Sequence, residues 1–355
     1  MQDFSYDSLY HQHIVRTEPL ISPHALRQKL PVSETAFHTV SVSRKEIEAI
    51  IRGDDTRFLL IIGPCSIHDP RAAYDYAKKL TVLQKKYEAL FSIIMRVYVE
   101  KPRTCIGWRG LIVEPNLDGT GNRVVGLHQA RTLLLRITEL GLPTAAELLD
   151  PITPQYISDL LSWTSIGARS TESQLHREFA SGLSMPVGFK NGTNGDIEVA
   201  VNAVIAARHP HTFLGIGSDG YAAVIHTTGN EHTHLVLRGG RQSTNYDRKT
   251  IETSCAAMER NGISPTVIVD CSHGNSQKNL ENQQAVLLHT LTLRYGKQPI
   301  RAIRGCMLES FLHAGCTDIT NGHKPEAYGV SITDPCMGWD MTETLLEKAA
   351  HMINV

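Results

Sequence analysis

Two short stretches of this sequence carry side chains whose type and placement suit chemistry. The apolar run ending in Ile61-Ile62-Gly63-Pro64-Cys65-Ser66-Ile67-His68-Asp69 presents a thiol on a Gly-Pro turn. Taken alone, Cys65 reads equally well as a small core residue. The second stretch, Arg96-Val97-Tyr98-Val99-Glu100-Lys101-Pro102-Arg103-Thr104, sets three cations at and just past a strand-like end, with Pro102 stiffening the turn. A phosphate carries about −1.5 to −2 charges near neutral pH, and guanidinium groups grip it through paired hydrogen bonds, so these cations suit a dianion better than a core. Charged residues also follow later apolar runs: Glu147, Arg169, Lys190 in Gly188-Phe189-Lys190-Asn191-Gly192, and Arg238 in Val236-Leu237-Arg238-Gly239-Gly240. The neighbouring glycines let backbone approach a ligand. Such a cluster should hold more than one anionic group. His273, Glu309 and Asp334 join Cys65 in a second set, whose soft, borderline and hard donors would accept several first-row divalent metals.

These residues need elements to bring them together. Short β-branched or apolar runs at 58–62, 92–98, 144–148, 165–168, 187–189, 235–237, 267–269 and 300–303 predict eight strands, each leading into a helical pattern. Tyr76, Leu80, Leu83, Tyr87 and Leu90 form one apolar stripe, and Leu127, Ala130, Leu134 and Ile137 another, closed by Gly141. Asp196 predicts an N-cap for a helix over 196–208, and Gly262 a stop after a helix over 248–261. Alternating strands and helices predict parallel pairing, and eight units favour a closed (β/α)8 TIM barrel over an open doubly wound sheet. Active sites of such barrels lie at the C-terminal strand ends, where the charged residues fall. Two segments depart from the repeat. Residues 1–55 read as an N-terminal extension, helical near 43–52, to a catalytic barrel over 56–355. Residues 211–234 hold Gly217-Ser218-Asp219-Gly220 between strand-like runs, a hairpin inserted between the fifth and sixth strands.

Composition excludes other classes. A chain of 355 residues, 41% hydrophobic, can bury one large core. A net charge of −1 and a pI near 7.0 provide no global field for nucleic acid or an anionic membrane. No apolar run approaches the roughly 18 residues of a membrane helix. Seven unevenly spaced cysteines suit a reducing cytoplasm better than a disulfide framework, and residues 1–13 carry neither a signal-peptide nor a transit-peptide pattern.

The ordered motifs resemble those of the type I 3-deoxy-D-arabino-heptulosonate 7-phosphate (DAHP) synthases. They are the Cys65 stretch, Lys101-Pro102-Arg103-Thr104, Gly167-Ala168-Arg169-Ser170-Thr171-Glu172-Ser173-Gln174, Pro186-Val187-Gly188-Phe189-Lys190-Asn191-Gly192-Thr193, Arg238-Gly239-Gly240, Asp270-Cys271-Ser272-His273-Gly274-Asn275 and Ser331-Ile332-Thr333-Asp334. The resemblance implies condensation of phosphoenolpyruvate with erythrose 4-phosphate, releasing phosphate. It implies one divalent ion per subunit (manganese, iron, cobalt or zinc) on Cys65, His273, Glu309 and Asp334. Arg96, Lys101, Ala168, Arg169, Lys190 and Arg238 match residues that hold phosphoenolpyruvate; Pro102, Arg103 and Thr104 match the turn for erythrose 4-phosphate, with Glu147 beside it. Lys101 is the expected proton donor to the developing alkoxide. Two parts stay open for the metal: polarising the aldehyde oxygen or holding the attacking water. Ser170, Ala146, Asn194 and Arg109 depart from the family's usual residues, and none is an expected ligand.

The resemblance further implies that the extension and hairpin serve subunit contacts, in a homodimer or homotetramer, and an aromatic feedback pocket. Pro154, Gln155, Leu183, Ser184, Phe213, Gly215 and Ile225 match its lining. Gly215 resembles Tyr-regulated members, where glycine leaves room for a phenolic hydroxyl; Phe-regulated relatives carry serine there. Cys336, two residues past Asp334, is expected to lie near Cys65 and to oxidise with it in metal-free protein. Two rival readings are a 3-deoxy-octulosonate 8-phosphate synthase, whose turn is of Lys-Ala-Asn-Arg-Ser type, and a catalytically silent effector-binding barrel.

Overall fold

The computed structural model describes residues 9–317, 319 and 327–353; residues 1–8 of the expected extension lie outside them. The barrel strands are β1 (Phe58–Gly63), β2 (Phe91–Arg96), β3 (Thr144–Glu147), β4 (Trp163–Ile166), β5 (Val187–Lys190), β8 (Thr233–Leu237), β9 (Val267–Asp270) and β10 (Ile303–Glu309). They close in chain order, every neighbour parallel, with β10 returning to β1. Between β5 and β8 stands the antiparallel hairpin β6 (Thr212–Ile216) and β7 (Ala222–His226), as the turn signal at 217–220 led one to expect. No helix among the described residues is long and apolar enough to cross a membrane.

Successive strand residues face opposite ways. Leu60, Ile62, Met95, Phe189, Leu235, Val269 and Leu308 face outward onto a large cluster shared with the helices. Leu59, Ile61, Ile94, Ala145, Trp163, Val236, Ile268 and Met307 form a separate inner cluster. Burial on both faces explains why the runs read as continuously apolar.

Two helices, α1 (Pro23–Lys29) and α2 (Glu34–Arg52), precede the barrel. Ser22 and Ser33 cap them through their side-chain oxygens. Ile47, Ile50 and Ile51 of α2 belong to the inner cluster. The Ile51 carbonyl accepts from Thr266 Oγ1 at 3.0 Å and Ser43 meets Ser162 at 2.6 Å, both just before barrel strands, so α2 plugs the N-terminal mouth. The outer helices are α3 (Pro70–Lys86), α4 (Arg123–Thr138), the short α5 (Pro154–Ile157), α6 (Gln174–Ala180), α7 (Glu198–Ala207), α8 (Arg248–Arg260), the single turn α9 (His273–Ser276), α10 (Leu280–Tyr295) and α11 (Trp339–Ile353).

Three expectations about elements need correction. The last strand is Ile303–Glu309, not 300–303: the chain turns after Ile300, whose carbonyl accepts from Ile303 N at 3.2 Å, and Arg304 and Gly305 disguise the apolar run. Strand β4 begins two residues earlier than 165, at Trp163, which fills the inner cluster. Helix α7 starts at Glu198, because Asp196 accepts from Glu198 N as a turn residue before the helix.

Candidate active site and metal centre

Period-two geometry carries the inner layer upward into the site. Two residues above Ile61 comes Gly63, then Cys65; above Ile94 comes Arg96; above Ala145, Glu147; above Val236, Arg238; above Ile268, Asp270; above Met307, Glu309. Gly188 occupies the inner parity of β5, where a side chain would strike Trp163 and Val236, and Lys190 stands two residues above it. Side chains far apart in sequence therefore converge because each is the next inward position.

Glu147, Lys190 and Arg238 of this layer line a cavity of about 810 Å³. Its wall includes Lys101, Pro102, Arg103, Thr104, Glu147, Ala168, Arg169, Lys190, Arg238, His273 and Asp334. Arg241 and Lys278, which sequence reasoning missed, also line it, along with Thr193 and Ser243. Arg169 Nε donates to Thr104 Oγ1 at 3.0 Å, joining two of the expected substrate loops. A side chain at Gly167 would overlap the Glu147 carboxylate, so glycine there lets Glu147 reach the wall. Arg96 lies elsewhere: fully buried, it sits beneath the floor with Nη2 3.2 Å from Glu309 Oε1.

Beside this cavity, ligand atoms of Cys65, Glu309 and Asp334 lie within 4.8 Å of one another. His273 falls outside that triad, yet its Nε2 is 3.6 Å from Glu309 Oε1. Its other nitrogen, Nδ1, lies 3.0 Å from Asp270 Oδ2. Nδ1 also pairs with Ser272 Oγ at 3.2 Å. With the Asp270 charge beside it the ring proton is favoured on Nδ1, which leaves the Nε2 lone pair facing Glu309, as in many metal-binding histidines. A lone pair turned toward a carboxylate oxygen, next to a buried thiol and a second carboxylate, fits an intervening cation. The donor set thus suits one divalent metal ion.

The charges around the triad are tightly paired. Lys101 Nζ lies 2.9 Å from Cys65 Sγ and Lys278 Nζ 2.8 Å from Asp334 Oδ1. Burial, then Glu309, push the Cys65 thiol up to about 11, although Lys101 pulls the other way. Burial opposes the charge of Lys101, but Cys65, Glu309 and Asp334 outweigh it and raise its value. Burial likewise opposes ionisation of Asp334, but Lys101, Lys278 and His273 together hold its carboxyl down at about 2. His273, Gln277 and Lys278 all have positive φ without being glycine, local strain of the kind that collects at functional sites.

The stretches expected to line an effector pocket are linked by the N-terminal segment. Phe213 pairs with Ile225 across the hairpin, and a side chain at Gly215 would press on both, at 3.1 Å from Ile225 and 3.4 Å from Phe213. Asn230 Nδ2 ties the Leu183 carbonyl to the hairpin's foot at 3.1 Å. Pro154 and Gln155 open α5, whose Tyr156 Oη donates to Ile21 O at 2.6 Å, while His24 N donates to Ser218 O in the hairpin turn at 2.8 Å. Ser184 is exposed beside Leu183.

Residues 30–347 match the model of the DAHP synthetase I family. The Tyr-sensitive phospho-2-dehydro-3-deoxyheptonate aldolase of Escherichia coli (strain K12) is 45% identical over 98% of this chain and 97% of its own. The Phe-sensitive enzyme of the same organism is 46% identical over 96% of each chain. A solved structure of phospho-2-dehydro-3-deoxyheptonate aldolase from Francisella tularensis SCHU S4 superposes with a TM-score of 0.93, at 46% identity, covering 96% of this chain and 99% of that one. Sequence order, barrel closure and near-complete coverage agree, and the chain belongs to the DAHP synthetase I family.

Proposed function

We propose that this cavity condenses phosphoenolpyruvate with D-erythrose 4-phosphate to DAHP and inorganic phosphate, the first step toward aromatic amino acids. The observation that carries the reading is a cavity walled by Lys101, Arg103, Arg169, Lys190, Arg238, Arg241 and Lys278 and bordered by a thiol–carboxylate triad. Lys190, Arg169 and Arg238 hold the phosphate and carboxylate of phosphoenolpyruvate, with Arg96 adding positive charge from beneath. Arg103 and Thr104, on the Pro102 turn, hold the phosphate of the aldose, and Glu147 and Ala168 shape the space between. Cys65, His273, Glu309 and Asp334 would hold a divalent ion, which would supply Lewis-acid polarisation of an oxygen when bound. Carbon C3 of phosphoenolpyruvate attacks the aldehyde carbon while Lys101, kept charged by its anionic neighbours, gives a proton to the developing alkoxide. Water then adds at C2, the C2–O bond breaks, and phosphate leaves, its charge matched by the cations around it.

Regulation and assembly follow from the same reading. Tyrosine is the favoured effector, since Gly215 keeps space open between Phe213 and Ile225. The cross-strand partners Leu214 and Val224 are both exposed, as are Leu9, Ile14 and Val15, and these surfaces serve subunit contacts in a homodimer or homotetramer. No disulfide links the seven cysteines, which suits the cytoplasm. The test is phosphate release from both substrates, repeated after chelation, with arabinose 5-phosphate in place of the aldose, and with each aromatic amino acid. Release that survives chelation, or prefers arabinose 5-phosphate, would overturn the reading.

A further inference from the structure

Two buried cations stand near each other, Arg96 beneath the cavity floor and Lys190 in the cavity wall, each with one close carboxylate: Arg96 with Glu309 at 3.2 Å, Lys190 with Asp270 at 3.2 Å. Their charges repel; burial and Arg96 oppose the charge of Lys190, but Tyr98, Asp270 and Glu147 outweigh them and raise its value. Both lie against the ring of Tyr98, itself 1% exposed. The Arg96 guanidinium carbon is 4.0 Å from the ring centroid and Lys190 Nζ is 5.7 Å from it. Tyr98 Oη pairs with Ser165 Oγ at 2.8 Å inside the barrel. A ring face attracts a cation without neutralising it. A third carboxylate in that place would cancel charge that the cavity needs for an anion. Arg96 Nη1 meanwhile has no hydrogen-bond partner although buried, so one donor remains uncommitted.

We propose that Tyr98 is a positioning residue for anion binding: its ring face holds Arg96, beneath the cavity, and Lys190, in its wall, at a spacing that one anionic group can engage. The identity of that anion as phosphoenolpyruvate rests on the proposed function; the role of the ring does not. A residue that merely filled space would be insensitive to the charge on its face.

The test keeps shape constant and varies that charge. Metal-loaded full-length protein is prepared as wild type, as Tyr98→Phe, and with phenylalanine at position 98 bearing one, two or three fluorines. Calorimetric affinity for phosphoenolpyruvate is read beside KM for both substrates and kcat. Tyr98→Phe should stay within about threefold of wild type, and fluorination should weaken phosphoenolpyruvate binding stepwise, reaching about tenfold or more across the series. The KM for erythrose 4-phosphate and kcat should move far less. A flat series overturns the proposal, as does equal loss for both substrates. Should Tyr98→Phe not fold, fluorinated tyrosines at position 98 read the same slope. Wild-type protein that fails to bind phosphoenolpyruvate would sink the proposed reaction instead, and the series would then be read with inorganic phosphate.

Discussion

Asp270 holds the anion side and the metal side of the site together, so Asp270→Asn is an informative perturbation. The carboxylate is fully buried. Its Oδ2 lies 3.2 Å from Lys190 Nζ and 3.0 Å from His273 Nδ1, while Oδ1 accepts from Ser272 N and Oγ at 3.1 and 2.7 Å. Burial opposes its charge, but His273, Lys190 and Arg96 hold its carboxyl well below the ordinary range. An amide of nearly the same shape keeps the packing and removes the charge. Lys190 is then left as a buried cation without its carboxylate, a loss of about 3–5 kcal/mol by analogy with other broken buried pairs. His273 loses the charge that favours its proton on Nδ1, and losing such an outer partner typically costs about 10–100-fold in metal affinity. Denaturant melts of metal-free protein read the first effect and chelator competition reads the second. Unchanged metal affinity, together with an unchanged melt, would refute the bridging role.

Further outcomes are expected at other positions. Arg169→Ala and Lys190→Ala should each lower kcat/KM by roughly 2.7–4 kcal/mol, typical of one lost transition-state contact; wild-type kinetics would remove that residue from the site. Glu100 is buried with Oε2 unpartnered, and burial, then Asp150, push its carboxyl up to about 8 against the pull of Arg123 at 3.8 Å, with Glu147 adding to the rise. The folded state therefore binds this proton more tightly than the unfolded chain, so stability falls as pH rises from the unfolded value near about 4.3 and levels off above the folded one. Glu100→Gln should accordingly be more stabilising at pH 8.5 than at pH 5, by at least about 1 kcal/mol; equal melts at both pH values would contradict this. Cys65 N donates to Cys336 Sγ at 3.3 Å, and both thiols are buried and raised by that burial, so metal-free protein in air should form the Cys65–Cys336 disulfide slowly. Mass mapping that finds both thiols reduced after prolonged exposure would reject it.

The barrel was legible because its strands are buried on both faces and its helices on one, two patterns that a single sequence displays. Strand β10 was not, since Arg304 interrupts its apolar run and Gly305 adds no side chain, although glycine is needed there to avoid the Leu59 carbonyl. The plugging role of α2 was hidden for a different reason: Ile47, Ile50 and Ile51 look like any amphipathic stripe until the inner cluster appears. At the site, residues at strand ends were visible as charges after apolar runs. Asp270 and Tyr98 carried a usable signal too, because each stands on the inward parity, two residues beyond Ile268 and Arg96. Lys278 carried none, because its place beside Asp334 depends on left-handed backbone at Gln277 and Lys278 that residue type does not announce.

The claim on which the chemistry depends is that one ion joins residues 65, 273, 309 and 334. X-ray absorption at the metal edge of zinc-loaded protein tests it directly. The expected result is one ion per subunit with a single sulfur at about 2.3 Å among nitrogen and oxygen ligands, the sulfur vanishing in Cys65→Ser. A shell with no sulfur, or one that Cys65→Ser leaves intact, contradicts it.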